Sequence, residues 1–348
     1  MRPTSSRSAP ADQMRRVSMR VAAILLFCIS AACTPQVEVD DVLKVPSTFD
    51  SLPHIPADNK LTESRIRLGE RLFFDKRLSA DGTISCGSCH KPALAYADTV
   101  PVSSGVHGRF DFRNSPSLLN VGYRKTLFRE GGIPNLELQV LAPFGNENEM
   151  DFSLRDALAY VSSDAQYRAM FLEAYGGEPA PIYIAQALAC FQRSLVSSGS
   201  RYDAWLEGDN EALSPAEQRG RALFFSPETA CSDCHAGFLF ADDGFYNVGR
   251  YSDYADLGRK RLTAAPEDAG KMATPSLRNV ALTPPYMHDG SMPDLETVLR
   301  HFNEGGADHP SKDERIRPLG LSESDLEDLR QFLIALTDTV YTLPENLR

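Results

Sequence analysis

Two five-residue stretches decide how this chain must fold. They read Cys86-Gly87-Ser88-Cys89-His90 and Cys231-Ser232-Asp233-Cys234-His235. In each, two thiols three positions apart on a helical turn can form thioethers with the two vinyl groups of one haem, and the next histidine can ligate its iron. Four cysteines could also form two disulfides, or belong to a redox dithiol or a zinc site. None of these requires histidine after the second cysteine, twice, so the sequence predicts two covalently bound haems c.

The motifs lie within a wider internal repeat. Residues 69–74 read Gly-Glu-Arg-Leu-Phe-Phe, and residues 220–225 read Gly-Arg-Ala-Leu-Phe-Phe. Each stretch is typical of a helix that ends in two aromatic residues against a haem edge. Before the second stretch, Ser214 is a predicted N-cap, Pro215 takes the first helical position and Glu217 completes a capping box. The chain is therefore interpreted as two duplicated cytochrome c-like units.

Longer segments show helical periodicity. These are residues 153–175, 182–198 and 322–337. The first is predicted as one helix that begins after Ser153 and stops before Gly176-Gly177. No run of alternating residues predicts a strand, so the expected fold class is mainly α, with long loops around the haems.

The repeat also predicts the domain organisation. We expect an N-terminal haem domain over residues 45–200 and a C-terminal haem domain over residues 210–342, with a linker near residues 199–213. Cys190 stands alone in an apolar helical stretch and is interpreted as a small buried hydrophobic residue.

The start of the chain is typical of a bacterial export signal. Arg15, Arg16 and Arg20 precede an apolar stretch, residues 21–29, and small residues lead to Cys33. Residues 1–33 are therefore predicted to be a signal peptide rather than a spanning helix, and the mature protein to be periplasmic. Cys33 resembles the lipidated cysteine of a lipobox, although position 30 departs from that pattern, so a lipid anchor is an open alternative.

The net charge restricts the partners. The 348 residues carry a formal net charge of −11, and loss of the basic signal makes the mature chain more acidic. Nucleic acid is therefore excluded as an expected partner, because its phosphates would be repelled. An acidic surface suits a basic electron donor, but it is equally typical of an ordinary solvated surface.

Residues 60–340 resemble the bacterial di-haem cytochrome c peroxidases and their MauG-like relatives. Besides the haem motifs, the resemblance rests on four stretches. They are Arg113-Asn114-Ser115-Pro116-Ser117-Leu118-Leu119-Asn120, residues 136–143, Asn148-Glu149-Met150, and residues 275–290, which contain Pro284-Pro285-Tyr286-Met287-His288-Asp289-Gly290.

The resemblance implies different roles for the two haems. The haem on His90 would react with peroxide, and the haem on His235 would relay electrons. Glu149 would be the acid above the first haem, although Glu147 in the same polar run shows that an ordinary solvated loop is the alternative. Gln139 would order water there, and His107 would cap the first iron in a resting state, although a loop histidine is more often simply exposed.

The resemblance also implies a calcium ion between the haems. Its protein ligands would be the side-chain oxygen of Asn114 and the carbonyl oxygens of Thr283 and Pro285, which are hard ligands of the kind that calcium prefers. The alternative is that these residues serve turn geometry alone.

Two positions depart from the family pattern. Arg129 stands where many relatives carry a tryptophan between the haems, so electron transfer must be direct or use another route. Phe302 stands where peroxidases carry a methionine ligand and MauG a tyrosine ligand of the second haem. Phenylalanine cannot ligate iron; the second haem is then five-coordinate or bound by a neighbour, with His301, Met287 and Met292 as candidates.

Three functions remain open on the sequence. The leading prediction is a peroxidase that reduces hydrogen peroxide with electrons from a small cytochrome c or similar donor. The second is a MauG-like enzyme that uses peroxide to oxidise residues of a partner protein. The third is a non-catalytic electron carrier, which would need a sixth ligand on both irons. The resemblance also suggests a homodimer.

Overall fold

The computed structural model describes residues 43, 48–49 and 51–338. The predicted signal and Cys33 lie outside these residues. The described chain is mainly helical, as predicted, with one antiparallel pair of strands in which Phe245 faces Ala273. The helices and strands, numbered in chain order, are α1 (Glu63–Phe74), α2 (Cys86–Cys89), α3 (Leu136–Gln139), α4 (Ala142–Gly145), α5 (Leu154–Ser163), α6 (Ala165–Tyr175), α7 (Pro181–Ser194), α8 (Arg201–Leu206), α9 (Pro215–Phe224), α10 (Cys231–Cys234), β1 (Phe245–Tyr246), α11 (Lys260–Thr263), β2 (Met272–Ala273), α12 (Leu295–Glu304) and α13 (Glu323–Ala335).

Two close helix pairs form the framework around the haem motifs. Helix α1 packs on α7, and α9 packs on α13. A Cβ atom on Gly69 would lie 1.9 Å from the carbonyl oxygen of Ala187, and one on Gly220 would lie 1.9 Å from that of Asp328. The glycine that opens each predicted repeat therefore lets two helix backbones touch, which no larger residue permits.

The predicted start of α9 is confirmed. The amide of Glu217 donates to the hydroxyl oxygen of Ser214 at 3.3 Å, and the amide of Ser214 donates to the Glu217 carboxylate at 2.8 Å. Ser322 likewise caps α13, and α7 begins at Pro181 and ends at Ser194. Side-chain caps thus set the starts of α9 and α13 as the sequence indicated. Helix α7 has no side-chain cap and ends four residues before the predicted limit at residue 198.

The prediction of a single helix over residues 153–175 is wrong. The chain forms α5 and α6, which are separated at Asp164, whose backbone is extended (φ −90°, ψ 120°). Its carboxylate accepts from the amides of Gln166 at 2.8 Å and Tyr167 at 3.1 Å. The aspartate therefore starts a new helix instead of continuing the first, because its side chain competes for backbone donors.

The apolar core falls mainly into two clusters. One draws its buried residues from positions 43–196 and the other from positions 202–336. The described residues nonetheless lie within one compact unit, so the division into two domains stays a prediction. The predicted linker contains α8, and Cys190 is fully buried as expected. Among the described residues, none of the helices has the length and apolar character needed to span a bilayer.

The internal repeat extends well beyond the haem motifs. Asn120 and Asn279 both adopt left-handed backbone, with φ of 59° and 61°, and each precedes a 3₁₀ turn. Further along, two loops close with isolated bridges, and each contains a residue and then a glycine with positive φ. The bridges join Leu127 to Ile133 and Tyr286 to Met292, and the positive-φ pairs are Phe128 with Gly131 and Met287 with Gly290. By this match, Arg129 and His288 occupy equivalent places in the two halves.

Candidate active site

Each haem motif forms a single helical turn. In α2 the amide of His90 donates to the carbonyl oxygen of Cys86 at 2.9 Å, and in α10 the amide of His235 donates to that of Cys231 at 2.9 Å. The turn brings both cysteines and the histidine of each motif to the same cavity wall. This is the local geometry that two thioether bonds and one axial ligand require.

Both histidines are held in the tautomer that an iron ligand needs. The Nδ1 atom of His90 lies 2.9 Å from the carbonyl oxygen of Tyr96, and that of His235 lies 2.8 Å from the carbonyl oxygen of Phe240. Because a carbonyl only accepts, Nδ1 carries the proton and Nε2 keeps its lone pair. Burial also lowers the pKa of both imidazoles, which favours the neutral form.

One cavity of about 730 Å³ extends from the first motif to the second. All five cysteines of the described residues are free, which removes the disulfide alternative for the motifs in this structure. Burial raises the pKa of Cys86 to about 12, so in this structure its sulfur is a neutral thiol. The cysteines and histidines of both motifs open onto this one cavity, and this arrangement fits two covalently bound haems.

Glu149 lies in the wall of this cavity. Its carboxylate is half-buried and accepts a hydrogen bond from the side-chain amide of Asn146 at 2.7 Å. Burial is the main cause that raises the pKa of Glu149, and the neighbouring Asp111 raises it further. Glu147 is exposed, so of these two acids Glu149 is the one that lines the cavity. A carboxyl group with a raised pKa in such a wall can exchange a proton with a bound substrate.

Gln139 reaches the same cavity from the end of α3. Its Oε1 atom is buried and has no hydrogen-bond partner among the described residues. Buried amide oxygens are normally satisfied, so this atom is suited to hold a water molecule or a substrate proton. Gln139 and Glu149 therefore line the same cavity as the first haem motif.

His107 is not brought to the cavity. It lies on the surface with 55% of its side chain exposed, in a 3₁₀ turn where its own φ is 57°. Its Nδ1 atom is 3.5 Å from the Asp81 carboxylate, and its amide donates to the same carboxylate at 2.9 Å. In this conformation His107 cannot cap the first iron, because Asp81 holds the turn away from it.

The comparisons with known proteins agree with this geometry. A family model described as di-haem cytochrome c peroxidase matches residues 63–211. The chain is 35% identical to the cytochrome-c peroxidase IdrP1 of Denitromonas iodatirespirans, over 90% of this chain and 93% of that protein. The chain belongs to the di-haem cytochrome c peroxidase family. It is accordingly an oxidoreductase that acts on peroxide and carries two c-type haems.

Other members of this peroxidase family are equally similar. The methylamine utilization protein MauG of Methylorubrum extorquens is 34% identical, with 91% of each chain covered. The crystal structure of a MauG-like protein associated with microbial copper homeostasis superposes with a TM-score of 0.82 at 35% identity, covering 87% of this chain and 97% of that one. The fold class predicted from the sequence is thereby confirmed.

The calcium position implied by the family does not fit this peroxidase as it is folded. Asn114, Thr283 and Pro285 all line the cavity. However, the guanidinium of Arg129 donates to the side-chain oxygen of Asn114 at 3.3 Å and to its carbonyl oxygen at 3.1 Å. A divalent cation would compete with this guanidinium for the same amide oxygen and would be repelled by its charge.

The second haem site of this peroxidase has an apolar wall. Phe302 lines the cavity from α12, together with leucines that include Leu299 and Leu329. Of the three alternative ligands, Met287 lines the cavity, whereas Met292 and His301 do not. His301 instead places Nε2 2.9 Å from the carbonyl oxygen of Val248.

The sequence analysis did not predict that the two repeated loops are joined through Asn114. The amide of Asn114 donates to the carbonyl oxygen of His288 at 2.8 Å, while Arg129 holds the side chain of Asn114. One asparagine thus joins the equivalent residues of both halves. The repeated pattern Pro-Ser-Leu-x-Asn-Val at residues 116–121 and 275–280 was the available signal, because it fixes the register in which Arg129 matches His288.

Proposed function

We propose that this protein reduces hydrogen peroxide at a haem held by Cys86, Cys89 and His90, with Glu149 as the catalytic acid and base. The observation that carries the proposal is the position of the Glu149 carboxylate, which is half-buried, has a raised pKa and lines the cavity that also contains His90. When bound, the haem iron supplies the redox chemistry of peroxide cleavage.

The protein's own groups manage the proton. The ionised Glu149 carboxylate takes a proton from one peroxide oxygen and returns it to the other, which leaves as water. The side-chain amide of Asn146 fixes the carboxylate oxygen, and the unpaired Oε1 atom of Gln139 orients a water or a peroxide hydrogen. Two electrons and two protons balance the conversion of one peroxide into two waters.

Electrons enter, in this proposal, at the second haem site on His235. The donor is a small cytochrome c or a protein of similar kind. We propose that the reaction takes place in the periplasm after export directed by residues 1–33, with attachment through Cys33 if that residue is lipidated. Assembly as a homodimer remains a separate prediction.

A second candidate function is the oxidation of a partner protein. Phe302 weakens the peroxidase proposal, because the wall of the second haem site offers no methionine at that position. The absence of tyrosine at the same position, and of tryptophan at Arg129, weakens the MauG-like alternative as well. The likeness to MauG and to a MauG-like protein favours this second candidate. Without a methionine ligand the second haem is less suited to accept electrons from an ordinary donor.

The deciding experiment mixes the purified protein, carrying both haems, with hydrogen peroxide and a reduced small cytochrome c. Rapid peroxide-dependent oxidation of the cytochrome is expected. Absent turnover, together with a long-lived spectral change after one equivalent of peroxide, would contradict the peroxidase proposal and favour the partner-protein candidate.

A further inference from the structure

Arg129 places a positive charge in the cavity that the two haem motifs share. Its Nη2 atom donates to the carbonyl and side-chain oxygens of Asn114. Its Nε atom is buried and has no hydrogen-bond partner within the described part of the chain. A guanidinium stays protonated in proteins, so the charge remains although neither contact is with an anion.

The cavity wall contains six other arginines. Five of them pair with carboxylates, and the sixth, Arg250, donates to the hydroxyl of Ser291 at 2.8 Å. The five pairs are Arg113 with Asp256 and Glu130, Arg124 with Asp243, Arg261 with Glu130, Arg278 with Asp203, and Arg315 with Asp313. Arg124 also leaves its buried Nη1 atom without a hydrogen-bond partner, but a carboxylate oxygen of Asp243 lies 3.0 Å from its Nε atom. Within this cavity wall, Arg129 combines an unpaired buried nitrogen with the absence of a carboxylate in contact.

The acidic groups around Arg129 do not supply the missing partner. Asp256 accepts a hydrogen bond from Nε of Arg113 at 2.8 Å, and Glu130 also pairs with Arg113. Asp289 accepts a hydrogen bond from the hydroxyl of Tyr251. Burial lowers the pKa of the Arg129 guanidinium to about 10, as expected for a cation without a contacting anion. A buried charge of this kind is normally paired.

We infer that Arg129 binds a carboxylate of the haems, as the cation between the two haem sites. This inference rests on the proposed two-haem function, because each haem would bring two propionate carboxylates that a cation in the shared cavity can bind. The buried, unpaired Nε–H can donate to one oxygen of such a carboxylate, and a charge-assisted hydrogen bond of this kind is strong. The contacts to Asn114 hold the guanidinium in place, and Asn114 also binds the loop of His288 from the other half.

Arg129 consequently influences the haem potentials. A positive charge at a haem carboxylate stabilises the reduced haem relative to the oxidised haem, and its effect is large in a cavity with low dielectric constant. Where many relatives carry an oxidisable tryptophan, this chain therefore carries a fixed positive charge that favours the uptake of electrons by the haems.

The test measures midpoint potentials by spectroelectrochemical titration of the wild type, Arg129→Gln, Arg129→Lys and Arg261→Gln. Haem content is determined for each protein. Arg261 is the matched control, because it lines the same cavity but is 46% exposed and lies 3.7 Å from Glu130. We expect Arg129→Gln to lower the potential of at least one haem, whereas Arg129→Lys and Arg261→Gln stay close to the wild type.

Unchanged potentials in Arg129→Gln with two haems bound would overturn the inference, as would equal shifts in the Gln and Lys variants. If Arg129→Gln binds too little haem, an Arg129→Lys protein with two haems and wild-type potentials supports the inference. Loss of haem from both variants overturns it, because the contacts to Asn114 would then be the role of Arg129. Failure of the proposed function is distinguishable, since it appears as absent peroxide turnover in a wild type that holds two haems.

Discussion

Replacing Glu149 by glutamine removes the proposed proton carrier while leaving its surroundings intact. Glutamine has the same shape and still offers an oxygen to the side-chain amide of Asn146, which lies 2.7 Å from the carboxylate. The residues that hold the haem are untouched. Haem content and folding should therefore match the wild type, and any change in rate reports on proton transfer.

The expected loss follows from the chemistry of this one group. General acid–base catalysis by a positioned side chain contributes about a hundredfold to ten-thousandfold, so Glu149→Gln should slow the reaction with peroxide by that factor, equivalent to about 3–5 kcal/mol in the barrier. In the wild type, the rate should also fall as the pH drops through the pKa of Glu149. Because burial raises that pKa above the ordinary value of 4.5, the fall begins at a higher pH than for an exposed glutamate.

The assay is stopped-flow mixing with peroxide over a range of pH, with the haem absorbance as the signal. Glu147→Gln is the matched control, because Glu147 is exposed and two residues away, and it should retain the wild-type rate and pH dependence. An unchanged rate in Glu149→Gln would refute the reasoning, as would the same loss in both variants.

Three further predictions concern the relay site, the cation site and the packing. His235→Ala should preserve peroxide binding at the first haem but abolish turnover driven by a cytochrome donor, measured by donor oxidation. Removal of calcium with a chelator should leave the haem spectra and the unfolding temperature unchanged, because Arg129 already holds the amide oxygen of Asn114. Gly220→Ala should destabilise the fold by about 1–3 kcal/mol, seen as a lower unfolding temperature, since its Cβ would lie 1.9 Å from a backbone oxygen of α13.

Each of these predictions has an outcome that contradicts it. Full donor-driven turnover in His235→Ala would exclude that haem as the entry point for electrons. One calcium ion per chain by elemental analysis, with spectral change on its removal, would restore the calcium site. Gly177→Ala is the control for packing, because its Cβ would meet nothing within 4 Å, and equal destabilisation by both glycine variants would exclude helix contact as the cause.

Local signals in the sequence predicted what local chemistry can decide. The haem motifs, the capping box at Ser214 and the helix after Ser322 depend on neighbours within a few residues, and the structure forms them as expected. The one-helix prediction failed at Asp164 for the same kind of reason, because a local side chain competed for backbone donors. His107 is different, since its distance from the cavity depends on Asp81, a contact that no periodicity reveals.

The sequence by itself determined that this chain binds two haems, is mainly helical and belongs among the di-haem peroxidases, because covalent attachment requires fixed residue types at fixed spacing. Only the tertiary structure decided which of two nearby acids faces the cavity, and that Arg129 lies on Asn114 with no anion in contact. Burial, charge pairing and competition for one oxygen depend on groups brought together from distant parts of the chain, and a one-dimensional pattern carries no measure of such distances.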